Sequence, residues 1–163
     1  MAYAVLAAGL AAAVVIDLRS RRIPNLLTAT MAVLGLGLAA TGYSSVTVAA
    51  SVGGMVLGLV LMLPGHALGA TGAGDVKLMA AVGAIVGPGL VFPAFLFTCI
   101  AGGVLAVAVA ISRRRLTETV AGTGRLITAP ANAGTEIKGA AASRRFAYGP
   151  AIAAGSVIAV LIG

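Results

Sequence analysis

The sequence predicts an all-α fold, a polytopic membrane helix bundle of six transmembrane helices with both termini external. Three observations lead there. Of 163 residues, 60% are apolar and 9% are charged, with a mean hydropathy of +1.11, where an ordinary soluble domain carries about 25% charged residues. Apolar runs recur from the first residues to the last, parted by short segments rich in Pro, Gly or Arg. Every Lys and Arg falls in alternate connections between those runs. A single membrane domain over 1–163 follows, with one long polar stretch at 112–147.

The elements can be justified in order. Residues 2–16 are apolar but lack the basic residues that precede a signal peptide core; Arg19, Arg21 and Arg22 come after the run, so it reads as a retained first span. Pro24 cannot donate a backbone hydrogen bond and marks a helix boundary in the segment 17–25. Leu26–Ala40 is the second span. Thr41 to Ser45 form a turn, with Tyr43 at interfacial depth. Val46–Leu63 is the third span, ended by Pro64 and Gly65. Gly65, Gly69, Gly72 and Gly74 make 64–75 permissive rather than helical, and Asp75 opens the run Val76–Val86. Eleven residues reach only about 16 Å of a hydrocarbon core of about 30 Å, so this run is either enclosed in the bundle or does not cross. Gly87-Pro88-Gly89 breaks the chain, Leu90–Ile111 is long enough to span, and Gly149–Ile162 is the last apolar segment.

Charge placement decides the doubtful crossing, since basic loops stay in the cytoplasm. Six crossings put the loops near 19–25, 64–77 and 112–147 on one side, with three, one and seven basic residues, which accounts for all 11. Were Val76–Val86 not to cross, the stretch with seven would face away from the three arginines. The net charge of +7 is thus a matter of orientation. With 4% aromatics and no basic face, no nucleic-acid partner is expected.

The chain has four acidic residues, Asp17, Asp75, Glu118 and Glu136. Asp17 closes the first span and Asp75 opens the fourth at the same face, where an ionisable group costs at least about 2.5 kcal/mol at bilayer depth and marks a functional site. Each has an ordinary reading, Asp17 as an interfacial residue paired with Arg21 and Asp75 as an N-cap after a glycine turn. The chemical reading is a shared site in which like charge keeps both from ionising together, so that one activates water while the other donates a proton. Gly72 and Gly74, without side chains, would let an extended substrate strand approach the backbone beside Asp75. No Gly-Lys-Ser/Thr follows to make a phosphate loop. The lone Cys99 and His66 offer no metal-ligand spacing, so neither metal nor cofactor is expected. Lys77 points elsewhere on a helix than Asp75.

Several segments carry a family resemblance. Ile16-Asp17-Leu18, then Ile23-Pro24-Asn25 and Leu27-Thr28, together with Gly72-Ala73-Gly74-Asp75-Val76-Lys77-Leu78-Met79-Ala80-Ala81-Val82-Gly83-Ala84, resemble the type IV prepilin peptidases, intramembrane aspartic proteases of the Gly-x-Gly-Asp type. Tyr148-Gly149-Pro150-Ala151-Ile152-Ala153-Ala154-Gly155 is similar to the family's final helix. The resemblance implies that Asp17 and Asp75 are the catalytic pair and that Gly72, Gly74, Pro24 and Asn25 meet substrate. It implies cleavage of a basic leader from prepilin-like proteins with a hydrophobic helix, at the cytoplasmic face of the inner membrane. Longer members carry a Cys-x-x-Cys insertion and methylate the new N-terminus. This chain has neither the insertion nor those cysteines, which implies a short, peptidase-only member of the tight-adherence or Flp type.

Two other classes compete. A small proton-coupled transporter or channel would place its acids near mid-membrane, often in broken helices of symmetric halves. A non-catalytic assembly subunit would use its glycine faces for helix packing. The stretch 112–147 either fixes topology or binds anionic lipid, and topology is the favoured role. Oligomeric state has no signature in the sequence.

Overall fold

The computed structural model describes residues 1–112 and 148–163, and the described residues are all-α. The polar stretch, apart from Ser112, lies outside them. Helix α1 is Ala2–Ser20, α2 Asn25–Ala40, α3 Val48–Ala67, α4 Ala73–Ser112 and α5 Gly149–Ile162. Three stretches, Ala2–Ser20, Val48–Ala67 and Ala73–Val109, are long and apolar enough to cross a membrane, and α2 and α5 are shorter apolar helices. Helix α4 is interrupted at Gly87, whose φ of 76° and ψ of 177° are not helical, so residues 73–86 and 88–112 form two limbs at the break expected from Gly87-Pro88-Gly89.

Local chemistry sets the ends. Arg21 adopts a left-handed conformation and its N–H closes α1 on the Asp17 carbonyl at 2.8 Å. Pro24, at φ −64° and ψ 138°, is the N-cap of α2. The Thr47 side chain caps α3 by accepting from the Ala50 N–H. One boundary departs from expectation, because α3 runs through Pro64 to Ala67 instead of stopping there. A proline disturbs the turn before it, where its N–H is missing, but its own φ is helical and the following turn can continue.

Helix α4 touches each of the other four. Its first limb is the centre of the molecule, with Val76, Leu78, Met79, Val82, Ile85 and Val86 all buried. The short run that would not comfortably span a bilayer is therefore enclosed by protein, one of the two options its length left open. Close backbone approach makes this possible. A Cβ on Gly83 would stand 2.0 Å from the Gly54 carbonyl oxygen, one on Gly54 would stand 2.2 Å from the Gly83 carbonyl oxygen, and one on Gly58 would stand 2.5 Å from the Met79 carbonyl oxygen. Small-residue contact of this kind is how helices pack closely in lipid, where apolar side chains gain little from leaving their surroundings. The second limb folds back along the first, with Val91 beside Gly83 and Gly58. Helix α5 runs antiparallel to that limb, Gly163 against Leu90 and Gly155 against Thr98.

The bundle thus has two distinct ends. Met1, the 43–46 turn and Leu90 line one small cavity, with Gly163 close by, so both chain ends share the end where α4 breaks. Asp17, the 21–25 connection, the 72–77 segment and Gly149 gather at the other.

The Gly54 and Gly83 contact sets the first prediction. Gly83→Val puts a side chain into a backbone carbonyl and is expected to cost about 1–3 kcal/mol or more, whereas Gly37→Ala, with nothing within 4 Å of its Cβ, should leave stability unchanged or raise it. Thermal unfolding in detergent reads both; equal behaviour of the two variants contradicts the packing described.

Candidate active site

Both sequence-predicted carboxylates lie at the second end of the bundle and both are buried, Asp17 at 4% and Asp75 at 7% exposure. Asp17 sits in the last turn of α1 and Asp75 in the first turn of α4. The Gly149 N–H donates to Asp17 Oδ2 at 2.8 Å, and the Gly72 N–H donates to Asp75 Oδ2 at 2.8 Å. The second oxygen of each carboxylate has no protein partner among the described residues. Among the described residues, Thr71 Oγ1 and Ser156 Oγ are enclosed side-chain atoms without a partner. Each carboxylate is anchored through one oxygen by a glycine amide. Asp75 lies within electrostatic reach of Asp17 and of His66.

The ordinary readings of the two acids fare differently. The Arg21 guanidinium acts on the Asp17 carboxylate only through its field, with no ion pair between the two side chains among the described residues. The anchor of Asp17 is instead a backbone amide 132 residues away. The capping reading of Asp75 holds in part, since a carboxylate at the third helical position that reaches back to the N–H before the helix is half of a capping box. That employs one oxygen and leaves the other.

The remaining candidates are sorted by their neighbours. Gly72 is exposed, and a Cβ there would stand 3.2 Å from Asp75 Oδ2. The space beside Gly74 is taken by the buried Ile23, whose Cβ would be 3.1 Å from a Cβ on Gly74. Pro24 and Asn25 are exposed, and Asn25 Oδ1 accepts from Lys77 Nζ at 2.8 Å. Among the described residues Lys77 makes no ion pair with Asp75, and its partner is Asn25. His66 is exposed, with Nδ1 3.1 Å from the Thr71 carbonyl oxygen at the turn leading into Gly72.

Two residues of the site were missed as such in the sequence. Gly149 supplies the amide for Asp17, and a Cβ there would stand 2.8 Å from Asp17 Oδ2 and 3.1 Å from its Cβ. Tyr148 packs against Gly102, extends its hydroxyl toward the Thr98 carbonyl at 3.5 Å and lies within electrostatic reach of Asp75. The signal was the Tyr148-Gly149-Pro150 triplet at the start of α5, but nothing in the sequence says that it meets α1. Among the described residues no group of three or more His, Cys, Asp or Glu side chains is placed to hold a metal ion.

A helical membrane protein with two buried carboxylates at one end of its bundle is the class these features define. The model of the type IV leader peptidase family matches residues 4–107, which include both aspartates, and the chain belongs to that family. No curated protein and no solved structure matches it. Family membership makes it a protease, with prepilin-type proteins as the general substrate class.

The Gly149 contact leads to a second prediction. Gly149→Ala keeps the amide but pushes a methyl group against the Asp17 carboxylate, and peptidase turnover is expected to fall at least about 10-fold where activity depends on the placement of that group. Turnover measured on membranes containing equal amounts of each protein tests this; an unchanged rate means that the position of Asp17 does not matter to activity.

Proposed function

We propose that the chain is an intramembrane aspartic endopeptidase that removes the basic leader of prepilin-like proteins at the cytoplasmic face of the inner membrane, with Asp17 and Asp75 as its catalytic pair. The observation that carries this reading is that each carboxylate is buried, is held by one backbone amide, and keeps one oxygen free at the same end of the bundle. Of two neighbouring carboxyl groups, one as carboxylate takes a proton from water while the other, protonated, gives its proton to the scissile carbonyl oxygen. Collapse of the resulting tetrahedral species breaks the C–N bond, and the leaving amine takes a proton. The dyad then returns to its starting state with one proton between the two groups.

The surroundings suit that chemistry. A helical backbone hides the bond to be attacked, so substrate must be extended at the site. Gly72 is the glycine with an exposed side on which such a strand could lie, while Gly74 admits Ile23 and thereby seats the 21–25 connection. Without a Cys-x-x-Cys insertion, peptidase activity is proposed without methyl transfer, as in tight-adherence systems. Six crossings place both termini outside and the acidic end inside, which agrees with both termini sharing one end of the bundle.

Two tests address this reading. Asp→Asn keeps size but cannot exchange a proton, so Asp17→Asn or Asp75→Asn should abolish prepilin cleavage while the protein accumulates in the membrane. The double variant should be little worse than either single one, because the groups act as a unit. N-terminal sequencing of the product of a purified prepilin provides the readout; near wild-type processing by either single variant refutes the dyad. For the topology, a reporter within 112–147 should read cytoplasmic and one after Gly163 external. A cytoplasmic C-terminus rules out the six-crossing arrangement.

A further inference from the structure

The 21–25 connection is strung between the two carboxylates. It starts from the helix cap in which the Arg21 N–H bonds the Asp17 carbonyl at 2.8 Å, lays Ile23 against Gly74, and ends where Asn25 Oδ1 accepts from Lys77 Nζ at 2.8 Å. Lys77 is two residues beyond Asp75 on the same helical turn. The Asn25 to Lys77 bond joins residues 52 apart in sequence and ties the start of α2 to the start of α4. Among the described residues no other side chain to side chain hydrogen bond crosses between helices at this end. Both partners are exposed, so the bond adds little to the core; what it does is tie the segment that follows Asp17 to the helical turn that carries Asp75.

We infer that Lys77 and Asn25 form a positioning bridge that sets the register of Asp17 against Asp75, and that Asn25 serves the reaction through Lys77 instead of by touching substrate. The inference rests on the proposed dyad and assigns the bridge a part in it. A bridge of this kind affects how often the two carboxylates stand in reacting geometry, which enters kcat. A substrate contact would enter KM. Its polar partners are interchangeable with others that keep the bond, so Lys77→Arg should retain function where Lys77→Met does not.

The test combines kinetics with a readout that needs no catalysis. Lys77→Met and Asn25→Leu should each lower kcat about 10-fold or more with KM nearly unchanged. The double variant should match the worse single one, since both remove the same interaction. Lys77→Arg should keep most of the activity. A nitroxide at Arg22→Cys, in a Cys99→Ser background, should show a narrower, more mobile spectrum when Lys77→Met is added, at unchanged thermal stability. A rise in KM alone for Asn25→Leu, multiplicative losses in the double variant, or an unchanged nitroxide spectrum overturns the bridge. Activity surviving in Asp17→Asn would instead overturn the dyad, and the nitroxide comparison would still decide whether the bridge orders the connection.

Discussion

The structure depends on the contact of α3 with the first limb of α4, where Gly54 and Gly83 bring two backbones together with no side chain between them. That approach allows a limb of only 14 residues, 73–86, to sit at the centre of the bundle. At about 21 Å it is too short to face lipid over a full hydrocarbon thickness, but enclosed by the other helices it has no need to. Ser51, buried beside these glycines, donates its hydroxyl to the Ala84 carbonyl across the same interface. A central limb with apolar residues on every side then has one polar end, and that end begins at Gly72 and Asp75.

Burial of the two carboxylates is tolerable because each receives a backbone N–H from a glycine. An unpaired buried charge would be costly, and an arginine or lysine in contact would pair the group and hold it ionised. An amide satisfies one oxygen and leaves the other open. Glycine is the suitable donor at both places, since a Cβ at Gly149 would collide with Asp17 and one at Gly72 would crowd Asp75. The location of both acids at one end, in first and last turns of helices, also separates this arrangement from a transport pathway, which would hold its acids near mid-membrane. The glycine faces that a non-catalytic packing subunit would use do exist, but they lie along α3 and α4 and leave the acidic end unexplained.

Much of the architecture was legible because it follows from short-range chemistry. Apolar runs of spanning length, Pro24 before α2, the Gly87-Pro88-Gly89 break and the two isolated acids all act within a few residues of where they are written. The exception among the boundaries, Pro64, shows the limit of such signals. In the sequence it is a stop signal, yet α3 passes through it because the missing donor affects the turn behind it rather than the turn ahead.

What the sequence by itself determined is the material of the site: an all-α membrane chain, with Asp17 closing one apolar helix and Asp75 opening another after a glycine turn. The length of apolar runs, helix-breaking residues and the cost of a charge in hydrocarbon are local properties, and they suffice for that much. Only the tertiary structure decided which short apolar run is central, that Gly149 rather than Arg21 holds Asp17, that Ile23 fills the space beside Gly74, and that Lys77 is tied to Asn25. Each of these joins residues far apart in the chain, by 132 positions for Asp17 and Gly149 and by 52 for Asn25 and Lys77. The physical reason is that hydrogen bonds and close backbone contacts act over about 3 Å, and which groups come that near depends on how the helices pack against one another.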